Sequence, residues 1–300
     1  MADAFTIDTI DLRKQYDEGI EALRGLTLQV PRGCICGFLG RNGAGKTTTI
    51  KILLDMARPT SGHARVFGLS TTDPASSVDI RRRVGFVSDD KDLYGALTVD
   101  EMTRFTASFF PKWRAELERH YMQLFDLPRD RKVKALSRGM RTKLALLLAL
   151  CRGAELLVLD EPTSGLDPAA AEEVLQAIVG HVAREELTVF FASHQIAEVE
   201  QIADRIAIIN RGRIVVSGAL DDIRDAYRRI QLVFDADAPD AVFRTAGVER
   251  IERNGRILTV FSSGGAEPIV EEARALRPLS VDVCHVTLKE IFLESVASED

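Results

Sequence analysis

Hydrophobic positions along this chain fall into short runs punctuated by glycine, proline and charge. Residues 5–12 and 26–30 read as strands, and a third run, 34–39, ends at a glycine-rich turn. Residues 47–56 have helical spacing and stop before Pro59, which lacks an N–H and restricts the residue before it. A short strand is expected at 84–87 and a helical block from about 97 to 150, apolar on most faces over 144–150. Residues 156–159 form a continuous apolar run of the kind buried on both faces of a parallel sheet. Helices over 169–186 and 196–203 then alternate with strands over 188–192 and 205–210, and Asn210-Arg211-Gly212 turns the chain into 213–216. Strands alternating with helices predict an α/β domain around a mostly parallel sheet, with the helical block inserted in it.

Past about residue 228 the texture changes. A strand over 231–234, a short helix over 239–246, two strands flanking Asn254-Gly255, a helix over 267–276 and a strand over 281–286 give the order β-α-β-β-α-β, the ferredoxin-like split pattern. An amphipathic helix over 287–296 closes the sequence. The change of texture places a domain boundary near 225, giving domains 1–225 and 226–300 with a helical subdomain at about 89–155.

Composition narrows the classes. A formal charge of −6 over 300 residues argues against affinity carried by a wide basic surface, so neither nucleic acid nor direct attachment to anionic lipid is expected. Four cysteines without a CxxC pair read as reduced buried thiols. The mixed, acidic start is unlike a signal peptide, and the longest apolar run, eight residues, is far short of a membrane span.

Gly40-Arg41-Asn42-Gly43-Ala44-Gly45-Lys46-Thr47 fills every fixed position of a P-loop between an apolar strand and a helix. Its glycines let backbone N–H groups curl around phosphate oxygens, and the helix start adds partial positive charge there. Lys46 suits the β- and γ-phosphates and the Thr47 hydroxyl suits Mg²⁺; Gly40, Asn42, Gly43, Ala44, Gly45 and Thr48 complete the expected ATP-binding loop. In Leu156-Leu157-Val158-Leu159-Asp160-Glu161 a buried strand delivers two carboxylates at its C-terminal end, Asp160 toward Mg²⁺ and Glu161 as general base for a water. Leu136-Ser137-Arg138-Gly139-Met140 opens a helix, Ser164-Gly165-Leu166-Asp167 follows Glu161, and His194 follows the strand over 188–192.

Together these motifs resemble the ATP-binding subunit of an ABC transporter over roughly residues 5–220. The resemblance implies a P-loop NTPase fold of the ABC type. It implies that Tyr16 stacks on adenine, that Ser137 and Gly139 bind the γ-phosphate held by an opposite subunit, and that Asp167 lies across the dimer interface. It makes His194 the residue that contacts the γ-phosphate and orders the attacking water. Two positions depart from the family pattern. Arg138 and Met140 replace a Gly and the Gln of Leu-Ser-Gly-Gly-Gln, and Asp89 stands where a Gln or Glu would reach Mg²⁺, one methylene shorter than Glu. Phe109-Phe110-Pro111-Lys112-Trp113 and the helix from Thr287 to Leu293 are similar to ATPases of ABC-2-type export systems.

One P-loop and one signature per chain imply a second ATPase subunit, homo- or heterodimeric, with ATP and Mg²⁺ between the two. The family reading adds a separate transmembrane permease that holds the chain on the inner face of the cell membrane. The competing reading is a non-transport ABC ATPase, regulatory or associated with DNA or ribosomes. Ser137 lies only 91 positions after Lys46 with no sustained heptads, and the chain has one ATPase domain, so the coiled-coil and tandem types fit poorly.

Overall fold

The apolar runs read as strands over 34–39, 156–159 and 188–192 become the centre of a parallel sheet. The computed structural model describes residues 5–17, 19–183 and 187–297. The chain runs β1 (Phe5–Gln15), β2 (Glu21–Pro31), β3 (Ile35–Leu39), α1 (Lys46–Leu53), β4 (Ser61–Val66), β5 (Leu69–Ser70), α2 (Pro74–Arg83), β6 (Val84–Val87), α3 (Val99–Ala107), α4 (Ala115–Leu124), α5 (Arg138–Leu150), β7 (Leu156–Asp160), α6 (Pro168–Val182), β8 (Thr188–Ser193), α7 (Ile196–Ile202) and β9 (Arg205–Asn210). It continues through β10 (Arg213–Ala219), α8 (Leu220–Ala226), β11 (Arg228–Val233), β12 (Val248–Asn254), β13 (Ile257–Ser262), α9 (Glu267–Arg274), β14 (Ser280–His285) and α10 (Leu288–Ala297). Two compact units divide it, 1–214 and 215–300. The division falls inside β10, so β10's last residues and α8, expected with the first domain, group with the second unit.

A six-stranded sheet has the order β10-β9-β3-β8-β7-β6. Its pairs β3–β8, β3–β9, β6–β7 and β7–β8 are parallel. Every residue of β3, β7 and β8 is buried, the reason these strands read as unbroken apolar runs. The register sets Leu39 beside Ser193 and Asp160 beside Ala192, and Val87 beside Leu159, so the C-terminal ends of β3, β8, β7 and β6 lie side by side.

The two opening strands do not join that sheet. They form a separate antiparallel sheet of order β2-β1-β4-β5. In β2, Leu23, Leu26, Leu28 and Val30 are buried between exposed or half-buried neighbours, the pattern of a sheet with one face packed. These side chains join Ile50 and Leu53 of α1 and Phe38 and Phe190 of the parallel sheet in one core. Full burial of such a side chain stabilises by roughly 1.5–3 kcal/mol. β4, β5 and α2 were not legible as elements. β4 (Ser-Gly-His-Ala-Arg-Val) buries only Ala64 and Val66 and is made a strand by its ladder to β1. α2 is polar, though its cap was readable: Asp73 accepts from the Ser76 N–H and Pro74 fills the first turn.

The block over 97–150 is three helices rather than a continuous one. α3 starts at a capping box in which Thr98 and Glu101 satisfy each other's backbone N–H groups. α5 starts at Ser137, whose hydroxyl accepts from the Met140 N–H, and buries every residue from Leu144 to Leu150. The helix expected over 169–186 is observed as α6 to Val182, and its expected end lies outside the described residues.

In the second unit four strands form an antiparallel sheet of order β12-β13-β11-β14. Ile230, Leu232, Leu258 and Val260 pack there with Ile269 and Ala273 of α9. The helix expected over 239–246 does not form. The Glu272 carboxylate instead accepts from the N–H groups of Arg244 and Thr245, and the Ala238 N–H donates to the Gly255 carbonyl. Eight residues beginning with Pro239 offer too few internal hydrogen bonds to outweigh those partners.

Candidate active site

Four loops leave neighbouring strand ends and converge. After β3 the chain turns through Gly43 at φ +82° and Gly45 at φ +115° into α1. A side chain at Gly45 would lie 2.8 Å from the Ala22 carbonyl oxygen, so that turn needs glycine for both conformation and space. A cleft of about 200 Å³ opens on this loop, lined by Arg41, Asn42, Gly43, Lys46, Thr47, Thr48, Asp89 and Glu161 among others.

Lys46 is buried. Its Nζ donates to the Gly40 carbonyl at 2.8 Å and lies 3.2 Å from Glu161 Oε1. Thr47 donates its hydroxyl to Asp160 Oδ2 at 2.9 Å, while Asp160 Oδ1 is buried without a hydrogen-bond partner. Burial pushes the Asp160 carboxyl above the ordinary aspartate value, against the Thr47 hydrogen bond and the Lys46 charge, which both pull it down.

Glu161 is held from several sides. Its Oε2 is 2.8 Å from His194 Nδ1 and 3.4 Å from the Ser193 hydroxyl, and its N–H donates to the Ala192 carbonyl at 2.9 Å. Its backbone has φ +48°, a left-handed conformation that costs a side-chain-bearing residue roughly 1–2 kcal/mol. Such strain at a carboxylate facing a polar cleft fits a positioned functional group. The arrangement supplies a cationic, N–H-rich cradle for phosphate, an orphan carboxylate oxygen beside a hydroxyl, and a second carboxylate braced by a histidine.

The remaining expected residues divide into two places. The Tyr16 hydroxyl lies 3.5 Å from the Thr48 hydroxyl, at the edge of the loop, with Lys14 Nζ 4.9 Å above its ring. Asp89 lines the cleft, but its carboxylate lies 3.6 Å from Lys91 Nζ. Ser137, Gly139 and Asp167 do not line the cleft. Ser137 caps α5, Asp167 caps α6 by accepting from the Ala170 N–H, and a side chain at Gly139 would touch Leu166. Arg138 joins these two segments, donating to the Ser164 hydroxyl at 3.2 Å over Gly165.

A family model described as "ABC transporter" matches residues 23–164, and one described as "AAA domain, putative AbiEii toxin, Type IV TA system" matches 129–200. The bacitracin transport ATP-binding protein BcrA of Bacillus licheniformis is 34% identical over 225 residues, covering 74% of this chain and 72% of that protein. The daunorubicin resistance ATP-binding protein DrrA3 of Streptomyces coeruleorubidus is 31% identical over 309 aligned positions, covering 99% of this chain and 95% of that one. The chain belongs to the ABC transporter ATP-binding proteins. A solved structure described as the ATP binding subunit of an ABC transporter superimposes on this ABC ATPase with a TM-score of 0.66 at 29% identity, over 73% of this chain and 92% of that one.

Sequence reasoning missed four residues of the ABC ATPase site. Lys91 is buried and donates to the Glu161 carbonyl oxygen at 2.8 Å. Ser193 touches both Glu161 and Glu198, and Thr163 donates to Glu198 at 2.5 Å. Ser193 was readable, being the residue between the apolar strand and His194; Glu198 lies on α7, and nothing in its spacing ties it to Glu161. Burial raises the Glu198 carboxyl above its ordinary value, outweighing the Thr163 and Ser193 hydrogen bonds. A raised carboxyl favours folding while protonated and loses that contribution as pH climbs through its folded value. Glu198→Gln is therefore expected to raise the unfolding midpoint of the metal- and nucleotide-free protein at pH 7. The gain should shrink to nothing as pH falls to the ordinary glutamate range near ~4.3, as read by calorimetry across pH.

Proposed function

We propose that this ABC ATPase is the ATP-hydrolysing motor of an ABC-2-type exporter, acting through a separate membrane permease. The observation that carries the reading is the convergence of Lys46, Thr47, Asp160, Glu161 and His194 on one set of strand ends. ATP lies along the loop from Gly40 to Thr48, with Tyr16 beside Thr48 in place for the base. Glu161 takes a proton from the water that attacks the γ-phosphorus, the bond to the β,γ-bridging oxygen breaks, and ADP and phosphate leave. His194 orients the Glu161 carboxylate.

Mg²⁺ fits the residues present. Thr47 and Asp160 would hold it, because the buried Asp160 Oδ1 has no hydrogen-bond partner and its sister oxygen already engages Thr47. When bound, the ion neutralises phosphate charge. Mg²⁺ sites built largely from substrate phosphates and water need no dedicated protein cage, and no cluster of three or more His, Cys, Asp or Glu capable of holding a metal occurs among the described residues. Asp89 is a weaker holder, since its carboxylate is drawn toward Lys91.

The catalytic unit is a dimer, with Ser137, Gly139 and Asp167 facing the ATP of a second subunit. Their place outside the cleft and beside one another favours that role over a cis one. We assign residues 1–225 to the motor, with a helical subdomain at about 89–155, and 226–300 to a ferredoxin-like accessory domain without its first helix. The strand order β12-β13-β11-β14 supports that name. The names of BcrA and DrrA3 point to drug or peptide antibiotic resistance as the export class. Among the described residues no helix is long and apolar enough to cross a membrane. The transporter names of the relatives support attachment to the inner face of the membrane through the permease.

The test is affinity capture of the tagged full chain from detergent-solubilised membranes of its own cell. A polytopic membrane protein recovered in fixed ratio, with its addition stimulating ATP hydrolysis, is the expected result. Recovery with ribosomes or DNA instead would overturn the transporter reading.

A further inference from the structure

The loop after β6 carries a lysine that the motifs do not use. The Lys91 side chain is 4% exposed, so its ammonium is removed from water and needs partners to stay charged. It has two: the main-chain carbonyl oxygen of Glu161 at 2.8 Å and the Asp89 carboxylate at 3.6 Å. Burial still pulls the Lys91 ammonium below the ordinary lysine range, with Arg138 adding to that and Asp89 and Asp160 opposing it.

We propose that Lys91 is a positioning residue for Glu161, gripping the main-chain carbonyl of the base so that its carboxylate keeps its direction. The geometry on both sides of Glu161 supports this. Its N–H is fixed to the Ala192 carbonyl on β8, and its own carbonyl accepts from Lys91 at 2.8 Å and from the Ser164 N–H at 3.2 Å, so both peptide groups flanking a left-handed residue are pinned, the second most tightly by Lys91. Two pinned peptides fix the direction in which the side chain leaves the backbone, and His194 holds the carboxylate itself. Lys91 touches the base through its backbone, so it moves no proton in the reaction. The charge of Asp89 is drawn to the same ammonium, which ties the loop after β6 to the residue after β7. Removing the ammonium leaves the Glu161 carbonyl with only the Ser164 N–H at 3.2 Å, the longer of its two hydrogen bonds, and loosens the strained backbone of Glu161.

The inference rests on the reading of Glu161 as the base. The experiment compares Lys91→Met, Lys91→Arg, Glu161→Gln and the double variant Lys91→Met/Glu161→Gln in the full chain. Steady-state ATP hydrolysis, ATP binding by calorimetry and the unfolding midpoint are read for each. Lys91→Met is expected to lower kcat at least about tenfold while KM and the Kd for ATP stay within about twofold. Lys91→Arg, which keeps a charged donor, is expected to recover at least about half of kcat. In the Glu161→Gln background Lys91→Met should change the residual rate by less than about twofold, because the two act as one unit. Lys91→Gln carries the same readouts if Lys91→Met is too unstable to purify.

The inference is overturned if Lys91→Met keeps the wild-type kcat, or if it adds its whole effect in the Glu161→Gln background. It is also overturned if kcat, ATP affinity and the unfolding midpoint fall together without rescue by Lys91→Arg. Wild-type turnover in Glu161→Gln alone is a different result. It removes the base assignment, and with it the reason for positioning.

Discussion

Glu161→Gln is expected to lower ATP turnover by at least about 10²-fold, the range lost when a positioned general base is removed. Glutamine keeps the size and one acceptor oxygen, so the contacts from His194 and Ser193 to that end of the side chain have an isosteric partner. What it loses is the charge that accepts a proton from water. ATP binding should survive, because the P-loop from Gly40 to Thr48 and the Thr47–Asp160 pair are untouched. With binding intact and hydrolysis stopped, the variant should accumulate as an ATP-bound dimer, measured by size exclusion with and without ATP. Turnover at the wild-type rate would show that another group takes the proton. A monomer at saturating ATP would count against the shared-site arrangement of Ser137 and Gly139.

Lys46→Ala should have the opposite signature, with binding lost first. Lys46 is buried, with its ammonium on the Gly40 carbonyl and near Glu161. Truncating one member of a buried charge pair costs roughly 2–5 kcal/mol, and Lys46 is the buried cation of the cleft lining, the one that would lose its phosphate partner. The Kd for ATP should therefore rise at least about thirtyfold, as read by calorimetry at fixed salt. An unchanged Kd would mean that backbone N–H groups alone carry the phosphates. The two variants separate binding from chemistry at neighbouring residues, which makes each a control for the other.

Much of the site was legible because its chemistry is local. The loop from Gly40 to Thr47 needs glycine at fixed places for left-handed turns and close backbone approach, and those needs appear directly as residue types. The run from Leu156 to Asp160 was readable as a strand because a strand buried on both faces has no polar side to show. Ser137 and Asp167 carry their cap chemistry in the sequence, though their expected role at phosphate lies between subunits. Lys91 was not legible. Its importance comes from a carbonyl 70 positions away, and no local pattern marks a lysine as buried.

The same division runs through the fold. Residue order alone determined the alternation of strands and helices, the P-loop turn, the two carboxylates at a strand end and the change of texture that announces a second unit. Those features rest on periodicity, turn chemistry and capping, which act within a few residues. Tertiary structure decided that β1 and β2 leave the parallel sheet for an antiparallel one, and that the polar segment Ser61–Val66 becomes a strand against β1. It decided that residues 239–246 give up a helix for contacts with Glu272 and Gly255. It also decided the register that sets Leu39, Val87, Asp160 and Ser193 on neighbouring strand ends. Ladder bonds and distant side-chain acceptors form only once the chain has closed long loops, so their partners are a property of the packed molecule and not of any stretch of sequence.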